Sequence, residues 1–187
     1  MQKAVIKSIL TDKTHNSPVV QLDLEGTGRT IFIWIGVFEA WSLAMTLEGF
    51  QLGRPLTHDL LLSILQAFGA KPTGLVIHSI KNGTFYANLL VEKEKRDITD
   101  MGSPPLEIDC RPSDGLVVAA KTGIPIYVSR EVILESSMEK SAPGKEERNA
   151  EIGPEDEDKF KDFLKTFDLE QLKWYMEHKG KEDEPES

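Results

Sequence analysis

The chain of 187 residues has few of the features that mark several large classes of protein. Its single cysteine excludes a disulfide framework and any metal cluster held by several thiolates. No apolar run approaches the roughly 20 residues of a membrane-spanning helix, and no apolar signal segment follows Met1. We therefore expect a cytoplasmic protein with no membrane partner. The phosphate loop, the GxGxxG turn, the HExxH helix and paired CxxC motifs are also absent.

Positive charge is scarce and unevenly distributed. The chain has 22 Lys and Arg against 31 Asp and Glu, a formal net charge of -9. Residues 1–134 hold 13 basic and 14 acidic side chains (net -1), whereas residues 135–187 hold 9 and 17 (net -8). This excludes a broad basic surface that binds many phosphates, although a small basic site within the nearly neutral part is compatible with it.

Apolar periodicity predicts a mixed α+β domain over residues 1–134, with a largely antiparallel sheet and packed helices. The predicted strands are Lys3–Thr11, Val19–Glu25, Thr30–Ile35, Gly74–Ile80, Thr84–Val91, Leu106–Cys110 and Ile124–Val128. The predicted helices are Val37–Glu48, one capped by Thr57 and ended by Gly69, Pro112–Thr122, and a short one from Ser129 to about Leu134. Asn82-Gly83 predicts a hairpin turn.

Burial is predicted from the same pattern. The second helix has an apolar stripe that we expect to be buried, formed by Leu61, Ile64, Leu65 and Phe68. The third helix is apolar all round in its middle, so it should be buried. Trp34, Trp41 and Cys110 are predicted to lie in the core.

The composition changes after residue 134. Residues 135–158 are rich in Ser, Gly, Pro and charge and predict a flexible acidic linker. In residues 159–179 the spacing of Phe160, Phe163, Leu164 and Phe167 predicts short amphipathic helices, a C-terminal helical extension of the domain. Such short helices must dock on the domain, on a second subunit or on a partner. Residues 180–187 are predicted to be disordered.

Two polar clusters are candidates for chemistry. His58 lies at the edge of the second helix's apolar stripe and is a candidate general acid, general base or metal ligand, with Asp59 beside it. Asp109, Arg111 and Asp114 meet where a strand gives way to a helix, an arrangement suited to a metal ion and a bound phosphate. Both clusters also have structural explanations, namely helix capping and an internal Arg–Asp pair.

Four segments together resemble one known family, the bifunctional nucleases. They are IWIGVFEA (33–40), RPLTHDL (54–60), NGTFYA (82–87) and DCRPSD (109–114), similar to that family's IWIGxFEA, RPxTHDL, GTFYA and DxRPSD motifs. The resemblance covers about residues 1–134 and implies a compact α+β fold, often oligomeric, with nuclease activity on DNA and RNA. It implies that the important polar positions are Glu39, Glu48, His58, Asp59, Asp109, Arg111, Ser113 and Asp114.

The leading hypothesis is a nuclease that hydrolyses phosphodiester bonds in DNA and RNA with Mg²⁺ or Mn²⁺. The candidate catalytic residues are Glu39, Glu48, His58, Asp59, Arg111 and Asp114, and the candidate metal ligands are Asp109 and Asp114. In this hypothesis Arg111 stabilises the phosphoryl oxygens, while His58 moves protons and is oriented by Asp59. It requires His58 and Arg111 to lie within about 12 Å of each other.

Glu39 and Glu48 are nine positions apart on one predicted helix, so they face opposite sides and cannot both serve one site.

Two alternatives to the nuclease hypothesis remain open. The neutral domain and acidic tail favour a second hypothesis, a non-catalytic, homo-oligomeric binding or regulatory module. A third hypothesis is a protein that binds a small phosphate compound or nucleotide at Arg111.

Overall fold

The computed structural model describes residues 1–12, 17–50, 53–93 and 104–139. The strands are β1 Gln2–Asp12, β2 Ser17–Leu24, β3 Arg29–Trp34, β4 Ala70–Lys81, β5 Thr84–Lys93, β6 Leu106–Cys110, β7 Ile126–Val128 and β8 Met138–Glu139. The helices are α1 Val37–Leu47, α2 Thr57–Ala67, α3 Pro112–Thr122 and α4 Arg130–Ser136. The predicted α+β class is confirmed.

The strands form one mixed sheet in the order β6-β5-β4-β7-β1-β2-β3-β8. Neighbouring strands are antiparallel except at β4 and β7, which run parallel through Leu75–Ile77 and Ile126–Val128. Asn82 and Gly83 have positive φ angles of 51° and 77° in the turn between β4 and β5, a backbone conformation that Asn-Gly adopts at low cost. The predicted hairpin is therefore confirmed.

Helix α3 lies in the core, as predicted. It contacts α1 on one side and strands β4 and β5 on the other, and its residues Leu116–Ala119 are buried. Because α3 is enclosed by three elements, its position is fixed by packing on nearly every side. Its first turn is consequently held in a defined place relative to α1 and α2.

Helix α2 does not bury the predicted stripe. Leu61, Ile64 and Phe68 are exposed, while Leu62 and Leu65 pack against the second apolar cluster of the core. The prediction was wrong because α2 has apolar residues on more than one side, and packing against α3 and β4 selects the side. The helix also begins differently, since its N-cap is Leu56 and Thr57 is its first helical residue.

Trp34 is not a core residue, which corrects a second prediction. It is the last residue of β3 and is 45% exposed. Its indole N–H donates a hydrogen bond to Asp12 Oδ2 at 2.9 Å. Trp41 is half-buried. Cys110 packs against both apolar clusters, and burial raises the pKa of its thiol to about 11, as expected of a core cysteine rather than a nucleophile.

The sheet extends past the predicted end of the domain at residue 134. Helix α4 continues to Ser136, and Met138–Glu139 pairs with Arg29–Thr30 at the edge of the sheet. The side chain of Arg29 also donates a hydrogen bond to the Ser137 hydroxyl. The start of the predicted linker is therefore part of the fold. The rest of the linker and the predicted C-terminal helices lie outside the described residues. No helix within the described ranges is long and apolar enough to cross a membrane.

Candidate functional site

Four ionisable side chains from three helices meet at the first turn of α3. We call Glu39, His58, Arg111 and Asp114 the Arg111 cluster. Glu39 comes from the first turn of α1 and His58 from the first turn of α2, while Arg111 is the N-cap of α3. The predicted approach of His58 to Arg111 is confirmed, because both bind the same carboxylate, that of Asp114.

Arg111 is held by two carboxylates. Its Nε donates to Asp114 Oδ2 at 2.8 Å and its Nη2 to Asp114 Oδ1 at 3.3 Å, while its Nη1 lies 2.7 Å from Glu39 Oε1. A guanidinium has five N–H donors, so two donors have no partner among residues 1–12, 17–50, 53–93 and 104–139 and can serve a ligand. The side chain of Arg111 is 66% exposed, so those donors are accessible from solvent.

His58 is mostly buried and supports Asp114. Its Nε2 lies 3.1 Å from Asp114 Oδ1 and its Nδ1 lies 3.3 Å from Ser42 Oγ. An N–H at Nε2 that donates to the carboxylate leaves Nδ1 to accept from the Ser42 hydroxyl, which satisfies every partner. Because both ring nitrogens are engaged, His58 is a positioning residue for Asp114 in this arrangement.

Asp114 remains a carboxylate at neutral pH. Burial alone would raise its pKa, but the hydrogen bonds from Arg111 and His58 outweigh burial and hold the pKa below the ordinary value. The hydrogen bond to Asp114 in turn raises the pKa of Arg111. The exposed guanidinium of Arg111 lies between two carboxylate side chains, those of Glu39 and Asp114.

Glu39 is positioned by the glycine that precedes its helix. A Cβ atom added at Gly36 would lie 2.1 Å from Glu39 Oε2, far inside van der Waals contact. A side chain at this position would force the carboxylate end of Glu39 to shift. The glycine of the IWIGVFEA segment therefore leaves room for the Glu39 carboxylate where it contacts Arg111.

Asp59 belongs to a different contact, although it follows His58 directly. Its Oδ2 accepts the Leu56 N–H at 2.9 Å and its Oδ1 pairs with Lys121 Nζ at 2.8 Å. The hydrogen bond from Lys121 lowers the pKa of Asp59. The prediction that Asp59 orients His58 was wrong, because adjacent helical residues point about 100° apart; Asp114 and Ser42 orient the ring instead.

Asp109 and Glu48 lie apart from the cluster. Asp109 is exposed on the outer strand β6, opposite Asn88 in the register, and within the described ranges no hydrogen bond or ion pair joins it to Arg111 or Asp114. Glu48 is the C-cap of α1, about 13 Å along the helix axis from Glu39 at 1.5 Å per residue. The structure thus brings four of the predicted site residues together.

The described part of the chain contains no group of three or more His, Cys, Asp or Glu side chains placed to hold a metal ion. The carboxylates nearest Arg111 are those of Glu39 and Asp114, and both contact its guanidinium. Mg²⁺ is commonly bound by one or two carboxylates together with substrate phosphates. The residues therefore fit a cation that arrives with a phosphate, and Glu39 Oε2 is the one oxygen of these two carboxylates that has no contact with Arg111.

Sequence reasoning missed two residues that matter here. Ser42 supports His58, and its position three residues after Glu39 places both on one face of α1, so helical spacing was an available signal. Lys121 neutralises Asp59 from the far end of α3, which is 62 positions away in the sequence. No sequence pattern indicates a contact of that kind.

Comparison with known proteins agrees with the motifs. The family model described as the bifunctional nuclease domain matches residues 20–141, which include all of the Arg111 cluster. Two uncharacterised proteins of Mycobacterium tuberculosis, from strains CDC 1551 / Oshkosh and H37Rv, are each 29% identical over 173 residues. The matched region covers 92% of this chain and 99% of each relative.

Proposed function

The chain belongs to the bifunctional nuclease domain family, and on that premise we propose that it hydrolyses phosphodiester bonds in DNA and RNA at the Arg111 cluster. The observation that carries the proposal is the state of Arg111. Its guanidinium is exposed, is fixed by Glu39 and Asp114, and retains two N–H donors that have no partner in the described part of the chain. A fixed cation with free donors suits the phosphoryl oxygens, where negative charge increases as water attacks.

The remaining residues of the cluster have distinct roles in this proposal. Asp114 fixes the plane of the guanidinium through two hydrogen bonds, and His58 with Ser42 fixes Asp114. We assign the acceptance of the water proton to Glu39 rather than to His58. Glu39 Oε2 is not bound to Arg111 and lies close to Gly36, a residue that lines a cavity, whereas both nitrogens of His58 are occupied.

A divalent cation, Mg²⁺ or Mn²⁺, remains part of the proposal. Glu39 and Asp114 would hold it together with the substrate phosphate, while Asp109 has no hydrogen bond or ion pair to the cluster in the described part of the chain. When bound, the cation would supply positive charge that offsets the second carboxylate of the cluster.

Self-association is also proposed, supported by the exposed apolar side of α2, which includes Leu60, Leu61, Ile64 and Phe68.

The test compares two matched double variants. Arg111→Ala with Asp114→Ala removes the ion pair at the start of α3, and Lys121→Ala with Asp59→Ala removes the neighbouring ion pair of α2. Stringently purified proteins are assayed for cleavage of single-stranded DNA and RNA in Mg²⁺, Mn²⁺ or EDTA. We expect the first double variant to lose at least ~100-fold in rate and the second to stay within about threefold of wild type.

Equal cleavage by wild type and the Arg111 double variant would indicate a contaminating nuclease. That result would contradict the proposal and would favour a non-catalytic binding module. Loss of cleavage in EDTA, restored by Mg²⁺ or Mn²⁺, would support the cation. Cleavage that persists in EDTA would remove the cation from the proposal and leave the role of Arg111 intact.

A further inference from the structure

A cavity of about 390 Å³ opens beside the Arg111 cluster. Its walls are the end of β3 with the two residues that follow it (residues 33–36), the turn into β5 (residues 83–85), the start of α3 (residues 111–113) and Ser17. The volume falls within the ~300–1,000 Å³ of pockets that bind small organic groups. The hydrolysis proposed above uses only the part of this wall next to Arg111, so the aromatic part has no assigned role.

Ser113 gives the first sign of a ligand. Its side chain lines the cavity and the residue is only 7% exposed, yet its hydroxyl has no hydrogen-bond partner among residues 1–12, 17–50, 53–93 and 104–139. A buried hydroxyl without a partner is costly and calls for an explanation. A ligand oxygen in the cavity would complete it. Ser113 lies two residues from Arg111, whose free N–H donors face solvent.

Trp34 gives the second sign. The ring is 45% exposed and lines the same cavity, whereas large aromatic side chains usually bury most of their surface. Its indole N–H is anchored to the buried Asp12 carboxylate at 2.9 Å, which fixes the orientation of the ring. A fixed, exposed aromatic ring near an arginine is the combination on which proteins stack nucleobases.

We propose that this cavity binds one nucleotide unit of a single-stranded nucleic acid. The phosphate contacts Arg111 and the Ser113 hydroxyl, and the base stacks on Trp34. The polymeric nature of the ligand rests on the proposed function, whereas the binding of a phosphate and an aromatic base rests on the cavity itself. A base paired and stacked within a duplex cannot lie on Trp34, so the subsite selects single strands.

The charge around the subsite limits how the strand is held. Among the described residues that line the cavity, Arg111 is the one cation, and Glu39 and Asp114 lie against it. Affinity should therefore come mainly from stacking and depend weakly on salt. For a single phosphate contact on a single strand, the slope of log K against log salt is expected to be about -0.7.

A second cavity supplies a matched control. Phe50 is exposed and lines a separate cavity of about 450 Å³ together with Arg54 and Lys121. That cavity also combines an aromatic ring with cations. A Phe50→Leu variant therefore removes an exposed ring beside basic side chains while leaving the proposed subsite unchanged.

The experiment measures binding without cleavage. Fluorescence anisotropy of a labelled ten-nucleotide thymidine strand is recorded in EDTA, with gels to confirm that the strand stays intact. Wild type is compared with Trp34→Leu, Trp34→Phe, Ser113→Ala and Phe50→Leu, each checked for folding by circular dichroism. We expect ~10-fold weaker binding for Trp34→Leu, a smaller loss for Trp34→Phe, ~3-fold weaker binding for Ser113→Ala and no change for Phe50→Leu.

Several results would overturn the subsite. They are equal affinity of Trp34→Leu and wild type, equal affinity for a duplex of the same sequence, a loss in Phe50→Leu as large as that in Trp34→Leu, and no binding by wild type. A cleavage assay separates this proposal from the proposed function. Cleavage that Trp34→Leu leaves unchanged refutes the subsite alone, while Trp34-dependent binding without any cleavage refutes the nuclease alone.

Discussion

Helices α2 and α3 begin in the same way and end in different environments. Each has 11 residues and carries an aspartate as its third residue; an Arg-Pro pair lies just before the start of α2 and at the start of α3. Asp59 of α2 binds its own helix start and Lys121, whereas Asp114 of α3 binds Arg111 and His58. The same local feature thus caps one helix and builds a candidate catalytic site on the other.

The surroundings account for this difference. Helix α3 is enclosed by α1, β4 and β5, so its first turn faces side chains from other helices. Helix α2 leaves an apolar side open, and its first aspartate meets a lysine from the end of α3. An acidic residue at a helix start is therefore no evidence of function until the elements packed against it are known.

The largest expected effect is on the free energy of unfolding, and it compares a buried side chain of α3 with an exposed side chain of α2. Leu116→Ala in α3 should lower the free energy of unfolding by about 2–5 kcal/mol, because it leaves a cavity at a fully buried position. Ile64→Ala in α2 should cost under about 1 kcal/mol, since this side chain is 47% exposed. Urea denaturation of both variants measures the contrast, and similar losses would show that α2 is covered in solution.

The second effect concerns the two basic partners. Arg111→Lys should lower kcat/KM for cleavage by ~10- to 100-fold, because one ammonium cannot bridge Asp114 and Glu39 with defined geometry. Lys121→Arg should change kcat/KM by less than about threefold, since the pair with Asp59 makes no contact with substrate in the proposal. Steady-state kinetics of both variants test this pair. A larger loss in Lys121→Arg would mean that the two roles are reversed.

The third effect is a dependence of stability on pH. The pKa values of Asp59 and Asp114 both lie below the ordinary value of 3.8. Their stabilisation is therefore fully present above 3.8 and is lost as the pH falls through the lowered values. Thermal unfolding measured across this pH range should show that wild type loses more stability in acid than Asp59→Asn or Asp114→Asn does. The difference should be about 1 kcal/mol or less for each variant. Parallel curves for all three proteins would exclude this linkage.

The smallest effect concerns the helix caps. Thr57 is the first helical residue of α2 rather than its cap, so Thr57→Ala should change stability by only a few tenths of a kcal/mol. Ser129, whose hydroxyl accepts the Val132 N–H at 3.2 Å, is a true cap of α4. Ser129→Ala should cost about 1 kcal/mol. Chemical denaturation of both variants decides whether Thr57 contributes more than its position indicates.

Much of the fold was predictable because local patterns determined it. In β2 the alternation of Val20, Leu22 and Leu24 predicts the buried face, and all three are buried. The hairpin at Asn82-Gly83 and the enclosed helix α3 follow from turn chemistry and an unbroken apolar segment. Each of these features depends on residues that are close in sequence.

The site was predictable only in part. The pairing of Arg111 with Asp114 spans three residues and is local, whereas their approach to His58 was a requirement of the hypothesis that the sequence alone could not show. The contact of Glu39 with Arg111, the rotation of α2 and the exposure of Trp34 depend on how distant elements pack. A stretch of apolar residues on both strand faces, as around Trp34, does not indicate where the covering helices stop.

The pairing of strand β7 determines the stage of folding at which the candidate site can form. It has three residues, and it alone joins the sheet formed by β1, β2, β3 and β8 to the one formed by β4, β5 and β6. Glu39 follows β3 of the first group in the chain, and Arg111 follows β6 of the second. Most strand pairs within each group are sequential hairpins, whereas β7 must reach β1 across the whole domain, a closure that is slow. In kinetic terms we expect the hairpins to gain hydrogen-exchange protection before Ile126–Val128, so the Arg111 cluster assembles in the last step of folding.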